Sequence, residues 1–159
     1  MATITKKGVA SQQQFGGVPY GNMSVLEYHF ETNSSGVFVD SDTATAVGAT
    51  DVVRLGIIPA GFRLLDSISI ISDAFRTSNT GDIGFAYVDG VDSAAVPQDD
   101  NYFNNDLALD ALGTTRKNTN LAPVTLPKDA YLILTKAVAA ENVAGIMDIQ
   151  VIGIGTGAP

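Results

Sequence analysis

Residues 51–72 constrain the fold more than any other part of the chain, because two apolar segments flank a Pro-Ala-Gly turn. Residues 52–58 are predicted to form one strand, and residues 62–71 a longer one. Pro59 presets φ for the second position of a type I turn, and Gly61 can adopt the left-handed conformation that closes a bulged loop. The segment therefore predicts a β-hairpin.

Alternation along the second of these strands predicts which of its side chains are buried. One face is predicted to be apolar and the other mostly polar, with Leu65 and Ile71 as apolar exceptions on the polar face. The apolar face comprises Phe62, Leu64, Ile68 and Ile70, and the polar face Arg63, Ser67 and Ser69. Asp66 interrupts the apolar row, and the sequence does not identify its partner.

Further short strands are predicted where apolar and polar residues alternate between Gly- and Asn-rich turns: residues 24–30, 37–39, 83–90, 130–138 and 146–153. Residues 91–127 lack such a pattern and predict a long connection, with helical turns at 107–112 that end at Gly113. About seven or eight strands with almost no helix predict an all-β, single-domain sandwich, jelly-roll-like in topology. The sandwich is expected over residues 24–153, with a flexible tail over 154–159.

Residues 1–23 differ from the rest of the chain because Gly and Pro are dense and aromatic residues lie between them. This composition predicts an extended N-terminal arm. Phe15, Val18 and Tyr20 are its expected anchors to a partner or to a neighbouring copy. The alternative is that these three side chains pack back onto their own sandwich.

The composition excludes several classes of protein. The formal net charge is −8, and the 9 Lys and Arg residues are scattered, so a nucleic-acid-binding surface is not expected. The chain has no cysteine, which excludes disulfides and thiolate metal sites and fits a reducing cytoplasm. No apolar run is long enough to span a membrane.

No catalytic, cofactor-binding or metal site is predicted. The single histidine, His29, lies within an alternating strand, and no nucleophile-elbow motif accompanies it. The glycines at 153–157 resemble a dinucleotide-binding fingerprint, but no helix is predicted after them. Asp40 and Asp42 begin like a calcium loop whose remaining ligand positions are not acidic. Whether calcium binds there is left open.

The ordered features resemble those of head decoration (cement) proteins and related virion structural proteins of tailed bacteriophages. Four segments carry the resemblance: DVVRLGIIPAGFRLL (51–65), GDIGFAYVDG (81–90), DDNYF (99–103) and YLILTKAVAAENVAGIMDIQVIG (131–153). The resemblance implies a jelly-roll-like homotrimer, made in the host cytoplasm, that binds the major capsid protein on the outer surface of the head and stabilises the shell.

Tyr102 and Phe103, in the predicted long connection, are further expected contacts with the capsid or another subunit. They are also the single candidate platform for stacking on sugars. The alternative function is accordingly a carbohydrate- or receptor-binding sandwich of a phage tail. A hydrolase built on strand-borne carboxylates ranks last.

Overall fold

The computed structural model describes residues 1–7, 22–119 and 122–156, which form two packed β-sheets. Within these ranges there is no helix, and so none that could cross a membrane. The strands are β1 (Thr3–Thr5), β2 (Met23–Thr32), β3 (Val52–Ile58), β4 (Phe62–Asp73), β5 (Thr80–Tyr87), β6 (Asp99–Ala108), β7 (Gly113–Arg116), β8 (Val124–Thr125), β9 (Ala130–Lys136) and β10 (Gly145–Gly155).

The strand order is that of a jelly roll. The first sheet has the order β1-β3-β9-β5-β6, and the second has the order β2-β10-β4-β7, with β8 paired to β4. Consecutive strands alternate between the sheets from β1 to β5 and again from β8 to β10. All pairs are antiparallel except β1 with β3. The predicted all-β, jelly-roll-like sandwich is confirmed.

The turn at residues 59–61 connects the two sheets, so the predicted hairpin is wrong. β3 pairs with β1 and β9, whereas β4 lies in the other sheet. Gly61 adopts the expected left-handed conformation, with φ of 74°. The Phe62 N–H donates to the Pro59 carbonyl over 3.2 Å, which puts Pro59 first rather than second in the turn. The same turn residues can close a hairpin or connect two sheets. β9 and β10 are likewise consecutive strands that lie in different sheets.

A β-bulge in β4 reverses the predicted faces after Asp66. Leu64 lies opposite Gly153 and Asp66 opposite Ile152, so two residues of β4 advance for one of β10. The side chains buried in the sandwich are therefore Phe62, Leu64, Ser67, Ser69 and Ile71. Ile68 and Ile70, expected inside, are half-buried on the outer face.

Residues 91–127 contain three strands, contrary to the predicted irregular connection. β6 pairs with β5 with two irregularities in the register. The Asn104 Nδ2 group on β6 donates to the Arg116 carbonyl on β7 over 3.0 Å. The sequence does not predict β6 as a strand because the segment is rich in Asn and Asp, which are depleted in regular strands. The predicted helical turns at 107–112 are absent. In the predicted strand at 37–39, Val37 and Phe38 form isolated bridges and Val39 lies in a turn.

Parts of the range predicted for the arm, residues 1–23, belong to the two sheets. Residues 3–5 form β1, with Ile4 2% exposed, and the Asp51 carboxylate accepts a hydrogen bond from the Ala2 N–H over 2.6 Å. β2 begins at Met23. Strand β10 likewise extends to Gly155, into the predicted tail.

Candidate interaction surface

The outer face of the second sheet carries a patch of apolar side chains, which we call the apolar corner. It consists of Met23 and Val25 on β2 and of Ile152 and Ile154 on β10. Cross-strand register places Met23 beside Ile154 and Val25 beside Ile152. Met23 is 71% exposed and Val25 51% exposed, whereas the two isoleucines are half-buried. The alternate residues of both strands face the core, so these four must face outward.

A charged row lies farther along the same face. His29 on β2 is directly opposite Asp148 on β10, and its Nδ1 lies 2.6 Å from the Asp148 Oδ1. Its Nε2 lies 3.3 Å from the Glu31 Oε2. A cleft of about 430 Å³ opens here, and Lys6 and Glu27 also line it. The surface therefore combines an apolar end with a polar, predominantly acidic end.

The carboxylates favour the charged form of His29. The hydrogen bond with Asp148 is the largest cause that raises the pKa of His29 above 6.5, partial burial opposes it, and Glu31 adds to the rise. Because the pKa of His29 is higher in the folded state, its protonation stabilises the fold, and this contribution is fully present at pH values below the unfolded pKa. That contribution is lost as the pH rises through the folded pKa. Because the His29 side chain is 44% exposed, solvent screening keeps the contribution small.

Replacing Asp148 is expected to lower the pKa of His29 towards its ordinary value. In Asp148→Asn the carboxylate charge is gone while the side-chain shape remains. His29 is the single histidine of the chain, so its imidazole signals in an NMR titration are unambiguous. Glu27→Gln is the matched control, because Glu27 lies on the same face but its carboxylate accepts a hydrogen bond from the Gln150 Nε2 instead of contacting His29. This variant should titrate as the wild type does. An unchanged pKa in Asp148→Asn would contradict the assignment.

The predicted contact residues fall into two groups. Phe15, Val18 and Tyr20 lie outside the described residues. Tyr102 and Phe103 lie in β6 and are 2% and 0% exposed, so the expected exposed aromatic loop is wrong. The Tyr102 hydroxyl donates to the Ala122 carbonyl over 3.0 Å. Neither ring is available as a sugar-stacking platform or as a side-chain contact in this structure.

Two of the acidic residues noted in the sequence, Asp42 and Asp66, have side-chain partners in the structure. Asp42 accepts a hydrogen bond from the Thr5 N–H over 3.0 Å, which helps to hold β1. Asp66 accepts from the Arg116 Nε over 3.0 Å, which supplies the partner that the sequence did not identify. Among the residues that the structure describes, no group of three or more His, Asp or Glu side chains could hold a metal ion.

Lys136 and Glu141 form a buried ion pair that the sequence pattern does not predict. Lys136 ends β9, and its Nζ contacts the Glu141 carboxylate at a point where both side chains are fully shielded from solvent. The same carboxylate accepts hydrogen bonds from the Asn79 Nδ2 over 2.5 Å and from the Arg76 N–H over 3.2 Å. This group of residues joins β9 to the segment that precedes β5.

The fold recurs in solved phage capsid structures. No protein-family model matches the chain, and neither does any curated protein. A chain in the capsid of Ralstonia phage GP4 superposes with a TM-score of 0.67 at 15% identity, covering 98% of this chain and 100% of that one. A chain in the capsid asymmetric unit of cyanophage Pam1 gives 0.53 at 14% identity, covering 91% and 95%. At these identities the similarity is one of fold.

Proposed function

We propose that the chain is a non-enzymatic structural protein of a bacteriophage virion that decorates the outside of the capsid shell. The main support is the end-to-end correspondence with the chain of the Ralstonia phage GP4 capsid, which leaves almost no residue of either chain outside the shared fold. The net charge of −8 favours the outer surface, because an acidic protein is repelled by packaged DNA. The binding partner is the major capsid protein, and the decorating unit is a homotrimer.

Attachment uses the arm together with the apolar corner. The apolar and aromatic part of the arm, residues 15–20, ends three residues before Met23 in the sequence, so a shell surface that binds this part also meets the corner. Met23 and Val25 are exposed apolar side chains that a partner can bury. Phe15, Val18 and Tyr20 are the proposed anchors within the arm. Backbone pairing with an exposed strand edge on the shell is one way for such an arm to dock.

Binding to shells tests the proposal. Purified protein is mixed with empty capsid shells of the phage that encodes the chain, and bound protein is measured after sedimentation. Light scattering gives its mass in the absence of shells. A trimer that sediments with the shells supports the proposal. A monomer that stays in the supernatant at saturating concentrations contradicts it.

Replacing Phe15, Val18 and Tyr20 together by alanine is expected to weaken shell binding more than about tenfold, because the loss of one buried apolar side chain already exceeds 1.4 kcal/mol. The thermal unfolding midpoint should not change. Replacing Gln12, Gln13 and Gln14 by alanine is the matched control in the same arm and should leave binding intact. Wild-type affinity in the aromatic variant would show that these side chains are not anchors. A deletion of residues 2–22 is unsuitable, because it also removes β1.

A further inference from the structure

Three reactive side chains meet in a water-excluded site at one end of the sandwich. Lys136 is 1% exposed, Asn79 0% and Glu141 2%. Asn79 immediately precedes β5, and Lys136 lies opposite Gly81 of β5 in the cross-strand register. The Ala137 N–H donates to the Thr80 carbonyl over 3.0 Å, which extends this pairing towards Asn79. The pairing of β5 with β9 therefore brings the backbones of these two residues close together at this end of the sheet.

A single carboxylate oxygen joins the amine to the carboxamide. The Glu141 Oε1 contacts the Lys136 Nζ and accepts a hydrogen bond from the Asn79 Nδ2 over 2.5 Å. The Asn79 Oδ1 is buried and has no hydrogen-bond partner. A buried carbonyl oxygen without a hydrogen bond destabilises a folded protein. Such a group calls for an explanation, and a role in a reaction is one.

We propose that Lys136 and Asn79 form an intramolecular isopeptide bond, with Glu141 as the catalytic proton carrier. The lone pair of the neutral Nζ attacks Cγ of Asn79, and the bond from Cγ to Nδ2 breaks. Glu141 takes a proton from Nζ and delivers a proton to Nδ2, which leaves as ammonia. The product is an amide between Nζ and Cγ. Atoms and electrons balance without an oxidant, a reductant or a cofactor.

The surroundings favour the neutral reactants that this step requires. Burial is the largest cause that lowers the pKa of Lys136, and the nearby Arg76 charge lowers it further, while Glu141 opposes the change. Transfer of the ammonium proton to Glu141 turns the buried ion pair into a neutral amine and a neutral acid, which avoids the cost of two buried charges. Exclusion of water also protects the Asn79 carboxamide from competing hydrolysis.

Intact mass spectrometry of the purified full-length chain tests the bond. The expected mass is that of the sequence, 16.5 kDa, less one ammonia molecule. Trypsin should fail to cleave after Lys136, so residues 129–159 should appear linked to residues 77–116. A mass equal to that of the full sequence, unchanged after prolonged incubation at neutral pH, would overturn the proposal. These two measurements need no variant and do not depend on shell binding.

Variants separate the bond from cyclisation of Asn79 onto its own backbone, which also releases ammonia. Lys136→Arg should retain the full mass expected for its sequence, as should Asn79→Ala and Glu141→Gln. Asn101→Ala is the matched control and should still lose ammonia, because Asn101 lies on β6, away from Lys136. Loss of ammonia that persists in Lys136→Arg would overturn the proposal in favour of backbone cyclisation.

Discussion

Gly36→Ala is expected to lower the free energy of unfolding by about 2–5 kcal/mol, as the sum of a left-handed backbone penalty and steric overlap. Gly36 has φ of 75°, a conformation that residues with a Cβ rarely adopt. A Cβ at this position would overlap the backbone carbonyl of Glu141 and lie 2.7 Å from the Asn142 N. Both neighbours are backbone atoms, so relief requires movement of the loop that carries Glu141. Urea denaturation measures the change.

Gly90→Ala is the matched control for the steric part of this effect. Gly90 has nearly the same φ, 69°, but no atom lies within 4 Å of an added Cβ. Its substitution should therefore cost about 1–2 kcal/mol, the backbone penalty alone. Equal losses of stability in the Gly36 and Gly90 variants would show that the Gly36 loop does not pack against Glu141 as described.

Glu141→Ala is expected to lower the free energy of unfolding by about 3–5 kcal/mol, because it leaves a buried charge without its partner. Without Glu141 the isopeptide bond is not expected to form, so Lys136 keeps an ammonium group that lacks its counter-ion, and the Asn79 amide and the Arg76 N–H lose their acceptor. Glu31→Ala is the control. It removes a carboxylate that faces His29 at the exposed surface, and such pairs contribute about 0–1 kcal/mol. If the two variants are equally stable, the carboxylate of Glu141 is not buried with Lys136.

The Glu141→Ala variant should also become more stable as the pH rises. Burial lowers the pKa of Lys136 below its ordinary value of 10.5. Between the folded pKa and 10.5 the unfolded chain binds more protons than the folded one, so stability rises with pH in that window. Glu141 opposes this lowering of the Lys136 pKa, so the rise should begin at a lower pH in Glu141→Ala than in Asn79→Ala, which keeps Glu141 and a free Lys136 amine. Denaturation midpoints across alkaline pH values test this sign; a midpoint that falls with pH would contradict it.

Alternation and turn residues were sufficient to predict most strands and the fold class. The period of two along β2 and β10 and the glycine at position 61 are local properties of the chain, and both were predicted correctly. The partner of each strand is not local. A Pro-Ala-Gly turn closes a hairpin or crosses between sheets equally well, and only the packing of whole sheets decides which. The bulge at Asp66 cannot be predicted from the local sequence either, because it depends on the register between β4 and β10.

The sites were harder to predict than the fold. The sequence predicts an irregular connection around Tyr102 and Phe103, because the neighbouring asparagines obscure strand β6. For Lys136 a signal was present, since alternation along β9 places it on the same face as Leu132 and Leu134, inside the sandwich. Its partner Glu141 lies in a connection whose path the sequence does not specify. The sequence does not predict the apolar corner either, because an isoleucine can lie on the inner or the outer face of a strand.

Cryo-electron microscopy of virions from the phage that encodes the chain tests the central claim most directly. The proposed function predicts density for a two-sheet sandwich on the outside of the shell, with the arm and the apolar corner against the major capsid protein. Peptides of the chain should be present in the same purified particles at a copy number that matches this density. A complete reconstruction of the shell without such density, from particles that lack these peptides, would contradict the assignment as a capsid decoration protein.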